Sequence, residues 1–221
     1  MEDAVPTHAS SSMPGDRPGI EPTLCVPLQG TDSFHLRVAE AWIGLGDYAA
    51  ASEQLMKISQ GQRTQPDVLK MRWQLCINCG NWEAALEVAS IMVLLDPIDS
   101  LGWSHQSFAL HKLQRTAEAR DNLQRVVDIF SDNAAMRYNL ACYESQLGRI
   151  EEAKNWLIDA FKLGDKRSMT QMALTDSDLA PLQEWIRLET DSSSRKVSLC
   201  DGIARLPDTA PITRRTDMVA A

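Results

Sequence analysis

The sequence predicts an all-α fold, a superhelical solenoid of about four helix-turn-helix repeats closed by a C-terminal capping helix, and three observations carry that expectation. Ala51, Ala85, Ala119 and Ala153 recur every 34 positions without an insertion, and a fixed period of that size is the signature of a repeat architecture. Four residues after each alanine stand Leu55, Ala89, Leu123 and Leu157, and three after those stand Ile58, Met92, Val126 and Ala160. Steps of four and then three trace one face of an α-helix. Five residues before the alanines stand Gly46, Gly80, Gln114 and Gly148. Glycine at three of these four places is the residue that ends a helix by entering the left-handed conformation.

Each unit therefore reads as helix, tight turn, helix. Two residues past the turn come Tyr48, Trp82, Thr116 and Ile150, mostly bulky groups placed to plug the space between the two helices. The small alanine lets the helices of a pair approach, and the larger residues four and seven positions on fill the contact with the next unit. One unit cannot bury its own faces, so several must stack, and a small rotation per unit gives the stack a concave surface. Beyond the last unit, Lys166 to Leu174 reads as a short helix. Asp178 to Leu188, with Leu179, Leu182, Trp185, Ile186 and Leu188, reads as an amphipathic one that caps the final repeat. The expected organisation is a disordered N-terminal tail over 1–31, a repeat domain over 32–165, capping helices over 166–189 and a disordered C-terminal tail over 190–221. The tails hold few large apolar residues to offset the entropy of ordering, apart from Ile20, Leu24, Val26 and Leu28.

Composition narrows the function. The 221 residues are 44% hydrophobic, enough for a sizeable core. Against 22 Lys and Arg stand 30 Asp and Glu, a formal charge of −8 that works against general attraction to nucleic acid or anionic membranes. Apolar stretches such as Ala89 to Leu95 fall far short of the roughly 18–20 residues a membrane span needs. The opening Met1 to Gly19, with Glu2 and Asp3 at its start, has neither the basic nor the apolar region of a secretory signal. Cys25, Cys76, Cys79, Cys142 and Cys200 are an odd set, and reduced thiols in a cytoplasm account for them most simply.

The 34-residue period, with Gly46-Asp47-Tyr48 and Ala51, Gly80-Asn81-Trp82 and Ala85, Asp96-Pro97, and Tyr138-Asn139-Leu140-Ala141 followed by Gly148 and Ala153, resembles the tetratricopeptide repeat family. The likeness covers about Asp32 to Asp165. It implies a right-handed superhelix and a general protein-interaction module in place of a particular chemistry. Arg72-Trp73 and Gln106 depart from the pattern, standing where the first helix of a unit usually carries apolar or small residues, and only the second unit closes on proline. These departures bear on how the second and third units pack and leave the period intact.

In that family the first helix of each unit lines the concave groove. The resemblance thus implies a peptide-binding set of Leu36, Arg37, Glu40 and Ile43 from the first unit, and Lys70, Met71, Gln74 and Asn78 from the second. The third supplies Ser104, His105, Phe108, His111 and Lys112, and the fourth Tyr138, Asn139, Cys142 and Gln146. Aromatic groups and Met71 would give apolar contact, the amides would pair with a backbone, and Arg37, Lys70 and Lys112 would favour carboxylates. Leu36 and Glu40 stand where the first unit would supply part of a Lys and Asn clamp for a terminal carboxylate, which disfavours a chaperone-tail clamp. The expected function is non-catalytic: a cytoplasmic scaffold, adaptor or chaperone-like module holding a protein or peptide segment, with no cofactor. The segment Ile20 to Leu28 is a candidate internal occupant of the groove. The alternatives are a self-assembling structural subunit, motivated by Trp103 or Trp156 if either is unburied, and an unrecognised enzyme.

Other constellations carry less. Cys76-Ile77-Asn78-Cys79 has the spacing of half a zinc site, but no second pair completes four ligands, and buried inert thiols are the expectation. His105 and His111 lie six apart and point to different sides of one helix. There is no Gly-rich phosphate loop, nucleophile elbow or His-Glu metalloprotease motif. Glu83, Glu87, Glu151 and Glu152 sit at helix starts or on outer faces, where they complement the helix dipole. Ser192 to Ser198, with Arg195 and Lys196, reads as an exposed tail and a possible phosphorylation target.

Overall fold

A computed structural model describes residues 28–189. The chain forms four antiparallel helix pairs over this range: α1 (Gly30–Gly44) with α2 (Tyr48–Lys57), α3 (Pro66–Asn78) with α4 (Trp82–Leu95), α5 (Ser100–Lys112) with α6 (Thr116–Gln124), and α7 (Ala134–Gln146) with α8 (Ile150–Leu163). α9 (Lys166–Thr175), a 3-10 segment Ser177–Leu182 and a helical stretch over 183–189 follow. The described residues contain no strand. Ile20 to Pro27, Cys25, His8 and the Ser192 to Ser198 stretch lie outside the described residues.

The turn inside each pair is the same device four times. Gly46, Gly80 and Gly148 adopt φ of 79°, 67° and 76°, and Gln114 takes the same left-handed conformation at φ 64°. In the first pair the Gly46 N–H donates to the Ile43 carbonyl and the Asp47 N–H to the Trp42 carbonyl. This double return closes a helix whose last carbonyls would otherwise lack partners. Asn81, Arg115 and Arg149 repeat the longer bond to Cys76, Leu110 and Glu144. Asp47 and Asn81 then cap the next helix, accepting from the backbone N–H of Ala50 and Ala84 at 2.9 and 3.1 Å. Arg115 and Arg149 in the third and fourth pairs supply no such cap.

The periodic alanines Ala51, Ala85, Ala119 and Ala153 are fully buried, and Leu55, Ala89, Leu123 and Leu157 are buried with them. Ile58, Met92, Val126 and Ala160 are buried too, but only Met92 and Ala160 lie within helices. Ile58 ends α2 as its extended cap, and α6 stops at Gln124, leaving Val126 and Val127 in turns that bond back to the Leu123 carbonyl. Tyr48, Trp82, Thr116 and Ile150 are half-buried at the turns.

Successive units dock through the first helix of one against the second helix of its predecessor. Gly102 on α5 marks the approach, since a Cβ there would meet the Val93 backbone nitrogen of α4 at 3.0 Å. On α7 the buried Glu144 lies against Arg120 of α6 and 3.8 Å from Arg149, while burial pushes its carboxyl up from the ordinary range. The largest cluster of buried residues joins Leu110, Leu123, Met136, Leu140, Tyr143 and Leu157 to Ala173, Leu179, Leu182 and Ile186 of the C-terminal segment. Two smaller clusters serve the first two units.

The C-terminal segment differs from the expected single amphipathic helix. It begins as a 3-10 segment containing Pro181, and the α-helical stretch follows at 183. Proline lacks the N–H an interior helical position needs and is tolerated only in a first turn. Leu188 is exposed, and the segment lies chiefly on α7.

Candidate functional site: the concave groove

The candidate groove is the stripe on each first helix that the family resemblance implies. Positions 36, 40 and 44 of α1 follow steps of four, so they align on one face, and the period of 34 repeats them on α3, α5 and α7. The four units present Leu36, Arg37 and Glu40; then Lys70, Met71, Gln74 and Asn78; then Ser104, His105, Phe108 and Lys112; then Tyr138, Asn139, Cys142 and Gln146.

The two halves of this groove differ. On α1 and α3, Arg37, Glu40, Lys70, Gln74 and Asn78 are exposed, while Leu36 and Met71 are partly buried against the first core cluster. Lys70 is 4.0 Å from Asp67 on the same helix, an exposed pair of little energetic weight. Asn78 donates its amide to the Gln74 carbonyl at 2.8 Å. Between α3 and α5, His105 stacks on Trp73 with ring centroids 4.1 Å apart and planes 7° from parallel. Burial against that ring depresses the imidazole to about 4, opposed by Asp99, so it is neutral at physiological pH. Lys112 lies 5.1 Å from the Phe108 ring centroid, and Phe108 meets Trp82 edge-on. Ile43 and Ser104 are half-buried.

Over α7 the groove is occupied by the chain itself. The Tyr138 hydroxyl donates to Asp176 Oδ2 at 2.8 Å and the Cys142 thiol faces the same oxygen at 3.6 Å. Gln146 donates its amide to the Asp178 carbonyl at 2.9 Å. His111 lies with Nε2 3.1 Å from Asp178 Oδ2 and Nδ1 3.0 Å from Thr116 Oγ1. A carboxylate only accepts, so Nε2 carries the proton here. Asp176 also caps its own segment, accepting from the Asp178 N–H. Tyr138, Cys142 and His111 are buried as a result, Asn139 is half-buried and Gln146 stays exposed at the rim. Burial first, and then the two aspartates, push the Cys142 thiol far above its ordinary value, so it stays protonated. The Tyr138 phenol is raised chiefly by burial as well.

Three participants escaped the sequence reading. Asp176 fell between the two stretches read as helices and Asp178 opened the second, which was read for its apolar residues, although an Asp-Ser-Asp run before an apolar segment is a capping signal. Trp73 registered as a departure from the family pattern, and the departure is the platform for His105. Cys79 was expected to be buried and is exposed, because it is the residue that ends α3, while Cys76 is half-buried with its thiol raised by burial. Among the described residues no group of His, Cys, Asp and Glu is placed to hold a metal ion, and no helix is long and apolar enough to cross a membrane.

A tetratricopeptide repeat family model matches residues 134–163, the α7–α8 pair. No curated protein matches. Among solved structures, "MamA MSR-1 C2" is 19% identical, with 61% of this chain and 76% of that chain covered and a TM-score of 0.52. "MamA AMB-1 P212121" is 20% identical, covering 64% and 77%, at a TM-score of 0.49. The first of these is a likeness of fold alone. Four units share one phase, the same left-handed turn closes each first helix, and the family match falls on the fourth pair: the chain is similar to tetratricopeptide-repeat proteins.

Proposed function

We propose that this protein is a protein–protein interaction scaffold whose open groove, along α1, α3 and α5, holds an acidic segment of a partner. One observation carries the reading: the same groove, one unit further along, already holds Asp176 to Asp178 through a phenol, an amide and an imidazole. The open part offers like chemistry with added positive charge in Arg37, Lys70 and Lys112, beside the amide of Gln74 and the Trp73–His105 stack. Cations and amides converging on a carboxylate form charge-assisted bonds, stronger than neutral ones. Asn78, Met71, Phe108 and Glu40 complete the walls, with Glu40 repelling acidic groups at the first unit and so setting a polarity. We place the protein in the cytoplasm because its cysteines are odd in number and the three described ones are free. The self-assembly reading loses its motive, since Trp103 and Trp156 are half-buried against the core and the Trp103 indole donates to the Pro97 carbonyl at 3.0 Å.

The test uses the full chain and an array of peptides carrying Asp-x-Asp, each paired with its Asn-x-Asn version. Acidic peptides should bind and their amide versions should not. Replacing Lys70 and Lys112 together with Glu should weaken the best peptide at least about tenfold, the equivalent of about 1.4 kcal/mol. Unchanged affinity in that variant, with its helical melt intact, would reject the groove.

A further inference from the structure

We infer that residues 20–27 fold back along the outer face of α1 and cap the first unit. The period of 34 shows what that face is. Positions 34, 38, 41, 42 and 45 of α1 correspond to the residues of α5 and α7 that dock on the preceding helix, and there Gly102, Ala109 and Leu110, or Met136, Leu140 and Tyr143, are buried. The same places in α1 hold Phe34, Val38, Ala41, Trp42 and Leu45. Phe34 is 55% exposed and Leu45 76% exposed, and with Arg37 the five line a shallow trough of about 470 Å³. Its walls are nearly all apolar, so α1 carries a face made for a partner and, among the described residues, has none.

The segment just upstream has the matching pattern. Ile20, Pro22, Leu24, Val26 and Leu28 alternate with Glu21, Thr23, Cys25 and Pro27, the period of two that puts one side of an extended chain on an apolar surface. In sequence, Pro22 and Pro27 favour extended residues before them over a continuous helix. Leu28, the last of the apolar series, is partly buried against Ala39, Leu55, Ile58 and Val68 on the inner side of α1, so on this inference the chain crosses to the outer face just upstream of it. Gln29 is extended, and Gly30 has φ 58°, a left-handed step that can turn the chain at the entry to α1. Eight residues reach about 26 Å when extended, while Phe34 to Leu45 spans only about 17 Å of helix.

A second copy is the weaker occupant. Head-to-tail stacking would need a free face on the last pair, and there Ala173, Leu179, Leu182 and Ile186 are packed into the core with α7 and α8. Capping by its own segment shields the first unit's apolar face and leaves the groove positions of α3 and α5 uncovered.

The test is a nuclear Overhauser measurement on the full chain with labelled Ile, Leu and Val methyls. Contacts from Ile20, Leu24 and Val26 to the ring protons of Phe34 and Trp42 are expected, and Leu24→Asp should abolish them while α2 to α8 keep their spectra. A sample mixing labelled and unlabelled copies should show no such contact between molecules. Absence of the contacts, their appearance at Phe108 and His105 in the groove, or contacts between copies at α1 would each overturn the inference.

Discussion

The junction between the third and fourth units and the junctions before it use one docking position with different residues. Val38, Arg72, Gln106 and Leu140 are equivalent by the period of 34. Leu140 is fully buried in the largest core cluster. Arg72 and Gln106 instead line clefts of about 340 Å³ between the first two units and about 970 Å³ between the second and third. A polar contact fastens the second junction, where Gln106 donates to the Ser90 hydroxyl at 3.0 Å, and inside the third pair Asn122 donates to the buried Ser107 at 2.8 Å. The repeat fixes where units meet, and the residue at that position decides whether the meeting is dry. The C-terminal segment packs on α7 beside the dry junction, so the molecule is consolidated in its C-terminal half and loosest where α2 meets α3 in its N-terminal half. In a solenoid, stability is a sum of unit and neighbour terms, and unequal neighbours give unequal local stability.

The largest contrast should come from truncating the two equivalent residues. Leu140→Ala removes fully buried methyl groups and should cost about 2–5 kcal/mol in denaturant unfolding. Gln106→Ala, which loses one half-buried hydrogen bond, should cost about 1 kcal/mol. Equal losses would erase the distinction between the junctions.

A smaller effect concerns acid. His105 is held neutral with its pKa near 4, below the ordinary value of about 6.5. Between those values the unfolded chain takes up a proton that the folded chain refuses, so stability falls as pH drops from about 6.5 toward 4. His105→Phe keeps a ring on Trp73 and removes the proton site, and its melting temperature should fall less over that window than the parent's. Parallel profiles would show that His105 contributes nothing.

The smallest effect lies at the turn of the third unit. Gln114 occupies the left-handed conformation that glycine supplies in the other three, at a penalty of about 1 kcal/mol. Gln114→Gly should raise the melting midpoint, and the reverse change, Gly148→Gln, should lower it. A lower midpoint for Gln114→Gly would contradict the assigned strain.

The fold was legible because the period is carried by backbone requirements and by close helix approach. Alanine at 51, 85, 119 and 153 and a left-handed residue at 46, 80, 114 and 148 report those needs directly. Helix ends were less legible: Val126 follows the helical spacing yet lies beyond α6. The candidate groove positions came from the family resemblance, matched unit by unit, and their accessibility was not legible in the sequence. Whether Tyr138 and Cys142 face a partner or Asp176 depends on where a segment more than 30 residues downstream returns, and nothing local to α7 encodes that. The pairing of Trp73 with His105 is similarly invisible, since the two lie on different units.

Amide hydrogen exchange on the full chain tests the unequal-halves account most directly. Amides of α7 and α8 should exchange only through global unfolding, at the free energy obtained from denaturant, whereas those of α1 to α3 should exchange through openings of clearly lower free energy. Uniform protection from α1 to α8, or stronger protection in α1 to α3, would contradict it.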